Sequence, residues 1–552
     1  MKKISFFTIC LLSTITFTSC EDMLQEEAFG KPTAEEMLTT EDNVAKVVGQ
    51  AYSEVKWLHD HWGYWGINTL SSDECVNPVR NPGTDWSDNG YWQGFNDQSW
   101  TSNDESFEFT WQYSNTGAVL CNKILEQLQS AKDNMSEELY KRFTSELKVL
   151  RCYYYYTLFD AFGRIPYLED YASENVPQSE ACVVWNKLVT TLEYEAENLP
   201  DANVPSKSAN YGRCTRGMAY TLLARLYLNA ESFGVTPENC GIADIKSNID
   251  FQTRCVAACD SVINSGVYTI EPDFFTNFKV NNENSNENIF VIVEDGNASF
   301  DYRDVAGKMA NKLRITMLTL NYAHQKAWNL VEKPWNGFCA PESFLKKYDA
   351  ADHRGPCDEN AGTDGCDGWG WFLGPIKDSD GKTIVLTDKG NIPAVIVKNV
   401  SSLDNATHCD GARLLKYEVA KGGVNKYCDN DFVLLRYADV LYMKAEALLR
   451  GATNGDLDKL LADPEFQLIR TRAGVAPYSS LTLDELLDER GREFAWEMVR
   501  RRDLIRYDRF SQGEWDFKPK RDKYMDWFPI PRKMIETSGG LWTQNPGYTT
   551  DK

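Results

Sequence analysis

Phe432-Val-Leu-Leu-Arg-Tyr-Ala-Asp-Val-Leu-Tyr-Met-Lys-Ala-Glu-Ala-Leu448 carries Leu434, Ala438, Leu441, Ala445 and Leu448 at alternating spacings of four and three. That period lays the five side chains along one stripe, so the sequence predicts a helix over Asp431 to Arg450 with one face in a core. Downstream, Asp484 to Arg506 predicts a long charged helix, with Asp488–Arg492 and Glu497–Arg501 at pairing distance along it. Its Arg500, Arg501, Arg502 and Arg506 fall at the end where the helix dipole favours cations, and read as a solvated face. Upstream, Ser136-Glu-Glu-Leu opens a run that Gly163-Arg-Ile-Pro166 stops. Thr215 to Glu231 is rich in Ala, Leu and Tyr and closes near Gly234. The fold class predicted is mostly α, from helix pairs resembling degenerate tetratricopeptide units, with long irregular loops and a few short strands.

The stretches between helices are long and aromatic. Residues 60–110 hold Trp62, Trp65, Trp86, Trp92 and Trp100 among Gly, Asn, Asp and Pro, and residues 330–430 are similar. A strand pair is predicted around Thr383–Leu386 and Pro393–Lys398, and a strand over Ile289–Val293 after the polar loop Asn281–Asn288. Loops this long are functional or disordered, and their aromatic content argues against disorder. With 16 Trp and 27 Tyr, rings outside the periodic segments read either as a stacking surface or as ordinary core. Trp111 and Trp185 border helices and read as core.

Met1-Lys2-Lys3, an uncharged run from Ile4 to Phe17 and then Ser19-Cys20 have the layout of an export signal, too short to span a membrane. A small residue before Cys20 resembles a lipoprotein cleavage site, which makes Cys20 the lipidation site and residues 1–19 the leader. Glu21, Asp22, Glu26 and Glu27 resemble a surface-export signal. The chain carries a net charge of −23, and loss of Lys2 and Lys3 with the leader makes it −25. So acidic a surface repels nucleic acid and anionic headgroups, and neutral ligands fit better. Setting Cys10 and Cys20 aside leaves 13 of the 15 cysteines, an odd number, with Cys357 and Cys366 the first candidate bridge and Cys255–Cys259 too close along a helix to pair. With no Cys-x-x-Cys and five His, neither a metal nor a cofactor is expected. Asp378-Ser-Asp-Gly381 lacks the other calcium ligands and reads as a turn.

Taken in order, several segments resemble the SusD/RagB family of outer-membrane nutrient-binding lipoproteins. They are the quoted helix, Ile469-Arg-Thr-Arg-Ala-Gly474, Leu486-Leu-Asp-Glu-Arg-Gly-Arg-Glu-Phe494 with Arg502-Asp-Leu-Ile-Arg506, and Phe528-Pro-Ile-Pro531 with Gln544-Asn-Pro-Gly-Tyr548. Arg151-Cys-Tyr-Tyr-Tyr-Tyr156, Gly163-Arg-Ile-Pro166 and Leu222-Leu-Ala-Arg-Leu-Tyr-Leu228 agree in the N-terminal half. The resemblance covers about Cys20 to Tyr548 and departs from the family in its cysteine richness. It implies one SusD-like domain over residues 20–552, with an N-terminal part to about 330 and a C-terminal part from about 331. It also implies a lipid-anchored, surface-exposed outer-membrane protein that captures oligosaccharide and acts as the lid of a TonB-dependent, SusC-like transporter. Best-known members bind oligosaccharides, others take peptides or glycoprotein fragments, and none is expected to be an enzyme.

A sugar ring offers an apolar face and an edge of hydroxyls, so its site needs an aromatic plane with polar groups around it. By the family pattern, Leu70–Arg80 and Tyr91–Asn96 supply Trp92 as platform with Asp73, Arg80 and Asn96 for hydroxyls, and Trp86 and Trp100 as neighbours. Trp335, Trp369 and Trp371 join them on loop placement alone. Each also has a plain structural reading: Asp73 as a turn or cap, Arg80 as a surface charge, Trp92 as core. Two rival functions stand beside glycan capture, a protein- or peptide-binding scaffold and a helical glycoside hydrolase. The hydrolase would need paired carboxylates, and among 81 acidic residues such pairs prove nothing. No Gly-x-Ser-x-Gly, His-Glu-x-x-His or P-loop pattern occurs.

Overall fold

A computed structural model describes residues 38–81, 85–171, 174–201, 210–295, 314–356, 369–422 and 429–549. The leader, Cys20 and the Cys357–Cys366 pair lie outside them. The main helices are α1 (Glu105–Ser130), α2 (Glu137–Phe162), α3 (Ala181–Glu195), α4 (Arg216–Leu228), α5 (Asn248–Ile263), α6 (Tyr437–Leu449), α7 (Leu483–Glu493) and α8 (Arg500–Arg506). Strands β1 (Asn288–Ile292), β2 (Gly370–Phe372), β3 (Arg413–Leu415) and β4 (Phe432–Arg436) are short, and every sheet among the described residues has two strands.

Local chemistry sets the helix ends where the sequence places them. Ser136 Oγ accepts from Leu139 N, and Thr215 Oγ1 from Met218 N, so each satisfies a donor that a helix N-terminus leaves free. Reciprocal caps open α5 (Ser247 and Asp250) and α7 (Thr482 and Glu485). Gly163 ends α2 at φ 70°, a conformation that costs a side-chain-bearing residue more than glycine. The α1 and α2 helices, joined by residues 131–136, pack along each other; α3 links α2 to α4, α5 pairs with α4, and α6 lies on both. This is the stacked helix-pair scaffold expected. Buried apolar residues from Leu38 to Trp542, Trp111 and Trp185 among them, form one continuous core. No helix of the described residues is long and apolar enough to cross a membrane.

Three sequence expectations need correction. Phe432–Arg436 is a strand, and the helix begins only at Tyr437. All five strand residues are buried, and β4 runs antiparallel to β1 with Val433 opposite Val291. A run buried on every side satisfies helix and strand patterns alike, and the partner strand decides.

The predicted helix over Asp484–Arg506 is broken. Residues 494–499 separate α7 from α8, with Trp496 at φ 61° and Met498 at φ 62°. Trp496 N and Nε1 instead donate to the side chain and carbonyl of Glu74, both at 3.0 Å. The two predicted helical ion pairs do not form: Asp488 takes Lys347 at 2.8 Å, and Glu497 takes Arg436 at 2.8 Å and Lys416 at 2.5 Å.

Nor is the arginine run a solvated face. Arg500, Arg501, Arg502 and the Arg506 guanidinium are withdrawn from water. Arg501 and Arg502 donate to Asp160 on α2, and Arg506 to Glu446 on α6. Next to them Glu493 accepts from Arg354 (2.7 Å), Arg436 (2.9 Å) and Arg472 (2.7 Å), all buried. Burial pushes the Glu493 carboxyl up, but the three guanidiniums outweigh it and hold it well below the usual range.

The strand prediction at Thr383–Lys398 holds in part. Val385–Leu386 pairs with Ile392–Pro393, while Val395–Ile396 pairs with Gly374–Pro375. Asp378 Oδ1 accepts from the backbone of Asp380 and Lys382, both at 3.0 Å, which makes this segment a turn.

Candidate functional site

Arg80 organises the loop side of the molecule. Among the described residues its buried guanidinium finds no acid; it donates to the carbonyls of Asn336 (2.9 Å), Gly337 (3.1 Å), Thr407 (2.9 Å) and Asp410 (2.8 Å). Three loops distant in sequence are thereby tied together. Arg413 reinforces the junction through Asp410 O (3.0 Å) and Asn336 Oδ1 (2.8 Å). Burial, with the neighbouring charge of Arg80, lowers the Arg413 pKa to about 10.

Asn336 then donates to Asp85 Oδ2 at 2.9 Å, and His408 Nδ1 meets the same oxygen. Lys389 Nζ lies 3.2 Å from the other oxygen of Asp85. Burial raises the Asp85 carboxyl, but the bonds from His408 and Asn336 and the Lys389 charge bring it below its ordinary value. Asp85 is thus an ionised, fully engaged group.

On this floor Trp86 N donates to Trp335 O at 3.3 Å, and the two indoles stand 5.3 Å apart at 55°. A Cβ on Gly337 would lie 2.4 Å from the Trp86 ring, so only glycine allows this approach. Behind Trp86 sit Trp92 (5.9 Å), Phe338 (5.2 Å) and His61 (5.5 Å). Trp86 and Trp335, both half-buried, line a cleft of about 480 Å3 with Tyr322, Pro334, Lys333 and Asp388. The Lys333 and Lys389 ammonium groups lie 4.9 and 5.5 Å from the Tyr322 ring. Burial, followed by the charges of Asp85 and Asp388, pushes the Tyr322 phenol up, so it stays a neutral donor. Three aromatic side chains with amino and carboxylate groups at their edges can hold a ligand with an apolar face and a hydroxylated rim. Among the described residues no group of three His, Cys, Asp or Glu could hold a metal ion.

The SusD family model matches residues 294–548, and a second model, described as starch-binding and associating with the outer membrane, matches residues 35–228. The chain belongs to the SusD family. It is 24% identical over 518 residues to the starch-binding protein SusD of Bacteroides thetaiotaomicron, covering 88% of this chain and 85% of that one. The surface glycan-binding protein A of the same organism, solved with laminarihexaose, superposes with a TM-score of 0.69 at 20% identity, over 91% of this chain and 99% of its own. A SusD superfamily protein of Parabacteroides distasonis gives 0.70 at 19% identity, over 93% and 100%.

Within this SusD-family fold, two of the nine sequence-proposed residues, Trp86 and Trp335, meet at the cleft. The structure gives the others different company. Trp92 is 0% exposed, enclosed by Trp62, Tyr91 and His61 with its Nε1 on Asp88 (2.9 Å), so it backs the cleft without presenting a face. Asp73 is buried and takes both ends of Arg500 at 2.6 and 2.7 Å. Asn96 is buried too, bonding Leu70 O, Cys75 O and Asn77 N. Trp100 donates to Tyr548 Oη at 3.0 Å from within the core. Trp371 packs on Trp496 at 5.7 Å and is 0% exposed, and half-buried Trp369 stacks on Phe275 at 4.8 Å, outside the cleft. Arg80 is a buried clamp where a surface charge was an option. Sequence reasoning missed Tyr322, Lys333, Asp85 and Lys389. The Lys333-Pro-Trp335-Asn-Gly337 run, which sets a ring between a charge and a glycine, was the one signal available.

Proposed function

We propose that this protein captures oligosaccharide at the Trp86–Trp335–Tyr322 cleft and passes it to a SusC-like, TonB-dependent outer-membrane transporter for which it serves as lid. In this reading Cys20 carries the lipid that holds the mature chain, residues 20–552, on the outer face of the outer membrane. The observation that carries the reading is the paired, half-buried indoles at the mouth of a cleft edged by polar groups. Each ring stack contributes about 1 kcal/mol by comparison with aromatic pairs. Millimolar affinity needs about 4 kcal/mol, so three rings must act with hydrogen bonds to hydroxyls. The glycan-binding names of the relatives point the same way. A hydrolase would need a carboxyl kept neutral to protonate the leaving oxygen. Asp85, the buried carboxylate of this cleft, is held in the opposite state.

The test is retention of the protein, begun at Cys20, in gels containing starch, laminarin, mannan or xylan. The expected result is retardation by one of these that Trp335→Ala weakens, with the melting temperature unchanged. Equal retardation of variant and wild type, or release of reducing ends on incubation, would overturn the reading.

A further inference from the structure

A second cleft, of about 750 Å3, opens between the α1–α2 hairpin and α3 and shares no residue with the loop cleft. Its rim carries two of the most exposed large rings among the described residues, Tyr194 at 73% and Tyr171 at 44%, and Tyr140 of α2 lines it half-buried. Tyr194 stands one turn after Thr190 on α3, and Glu126, Gln129 and Ser130 share a face of α1, so helical spacing brings both sets to the same opening. Single exposed rings are common on protein surfaces; three around one polar concavity are a different matter.

The charges of this cleft are largely spent. Lys148 pairs with Glu195 at 2.5 Å, and Arg151 donates to Asn122 Oδ1 at 2.6 Å and to the Glu169 carbonyl. Tyr140 Oη donates to Gln129 Oε1. Glu126 and Asp170 also line the opening and form no ion pair among the described residues, so they remain acceptors for hydroxyl donors and repel an anionic ligand.

We propose that this cleft is a second carbohydrate subsite, for a neutral stretch of oligosaccharide, on the helical scaffold of the protein. It rests on the glycan-capture reading above. A polymer presents its repeat many times, so two modest sites on one protein hold it far better than one, while a short oligosaccharide gains little.

The experiment uses the chain begun at Cys20 in gels of starch, laminarin, mannan or xylan. It compares wild type, Trp335→Ala, the Tyr171→Ala/Tyr194→Ala double variant and the combined triple variant. Both tyrosines are exposed, so the double variant should fold with an unchanged melting temperature. The double variant is expected to weaken retardation about tenfold, and Trp335→Ala to keep a residue of it that the triple variant loses. A double variant that runs as wild type would overturn this subsite and leave the loop cleft standing. Retardation lost in the double variant yet untouched by Trp335→Ala would keep the subsite and overturn the loop cleft. A wild-type chain that none of the polymers retards would overturn both.

Discussion

Glu493 and Trp335 sit at the centres of two regions built by opposite means. Around Glu493, Arg354, Arg436 and Arg472 are fully withdrawn from water and meet one carboxylate, with Glu287 and Glu497 completing the charge balance. Around Trp335 the rings are half-exposed, and the loop that carries Trp335 is held by Arg80 through the backbone carbonyls of Asn336 and Gly337. The first region contains the arginines of the very motifs that resemble the family: Arg436, Arg472, Arg490, Arg502 and Arg506 each pair with a buried acid. The second contains none of them. What makes the chain recognisable is therefore its scaffold, and what would make it selective lies elsewhere.

The largest expected effect sharpens that division. Glu493→Gln leaves three buried guanidiniums short of a charge, and breaking a buried ionic cluster from one side costs about 3–5 kcal/mol. The denaturant midpoint should fall accordingly, while any protein still folded at low denaturant should retain glycan as wild type does. A loss under about 1 kcal/mol would reduce the cluster to the worth of a surface pair and erase the contrast.

Glu74 gives an effect with a pH signature. Its carboxyl accepts from Trp496 N, yet among the described residues its Oε1 finds no donor, and burial raises its pKa to about 8. A group raised in the folded state contributes stability below its unfolded pKa, near 4.5, and that contribution is lost as pH rises through about 8. Glu74→Gln mimics the protonated form. It should match wild type near pH 4.5 and exceed it by a margin that widens by up to about 1.4 kcal/mol per pH unit until about pH 8, read from urea midpoints across that range. A difference that does not change with pH would show that Glu74 is not held neutral. The network's solved pairings would then not extend to its edge.

The same contrast explains what could be read from the sequence. Ser136 and Thr215 act on backbone donors three residues away, so the starts of α2 and α4 were legible from a few neighbours. Strand β4 was not, because its partner β1 lies more than a hundred residues earlier and periodicity cannot see it. The arginines of α8 looked like a solvated face because their acids, Asp73, Asp160 and Glu446, are scattered along the chain. For loop tryptophans the difficulty is sharper: Trp100 is covered by Tyr548 and Phe528, Trp371 by Trp496, and no local pattern announces either cover. The family pattern points to Trp92 with Trp86 beside it, and loop placement alone to Trp335 and Trp371; neither route separates a ring at a cleft from a ring in the core. Arg80 was named as a hydroxyl ligand, yet its acceptors are main-chain carbonyls, which every residue has and no sequence distinguishes.

Lys333 offers the finest cut between the two regions. Its ammonium sits 4.9 Å from the Tyr322 ring on an exposed side chain, whereas Lys389 beside it is buried and held 3.2 Å from Asp85. An exposed cation over a ring is worth about 0.5–1 kcal/mol, and losing it removes one donor for ligand hydroxyls. For the glycan that retards the wild type, Lys333→Ala should weaken binding about threefold, by titration calorimetry, with stability lowered by no more than about 0.5–1 kcal/mol. Lys389→Ala should instead lower stability, because Asp85 stays buried with one cationic partner fewer. If the two substitutions gave the same profile, the mouth of the cleft would be as structural as its floor. Ligand selectivity would then have to reside in residues other than those at the edges of the rings.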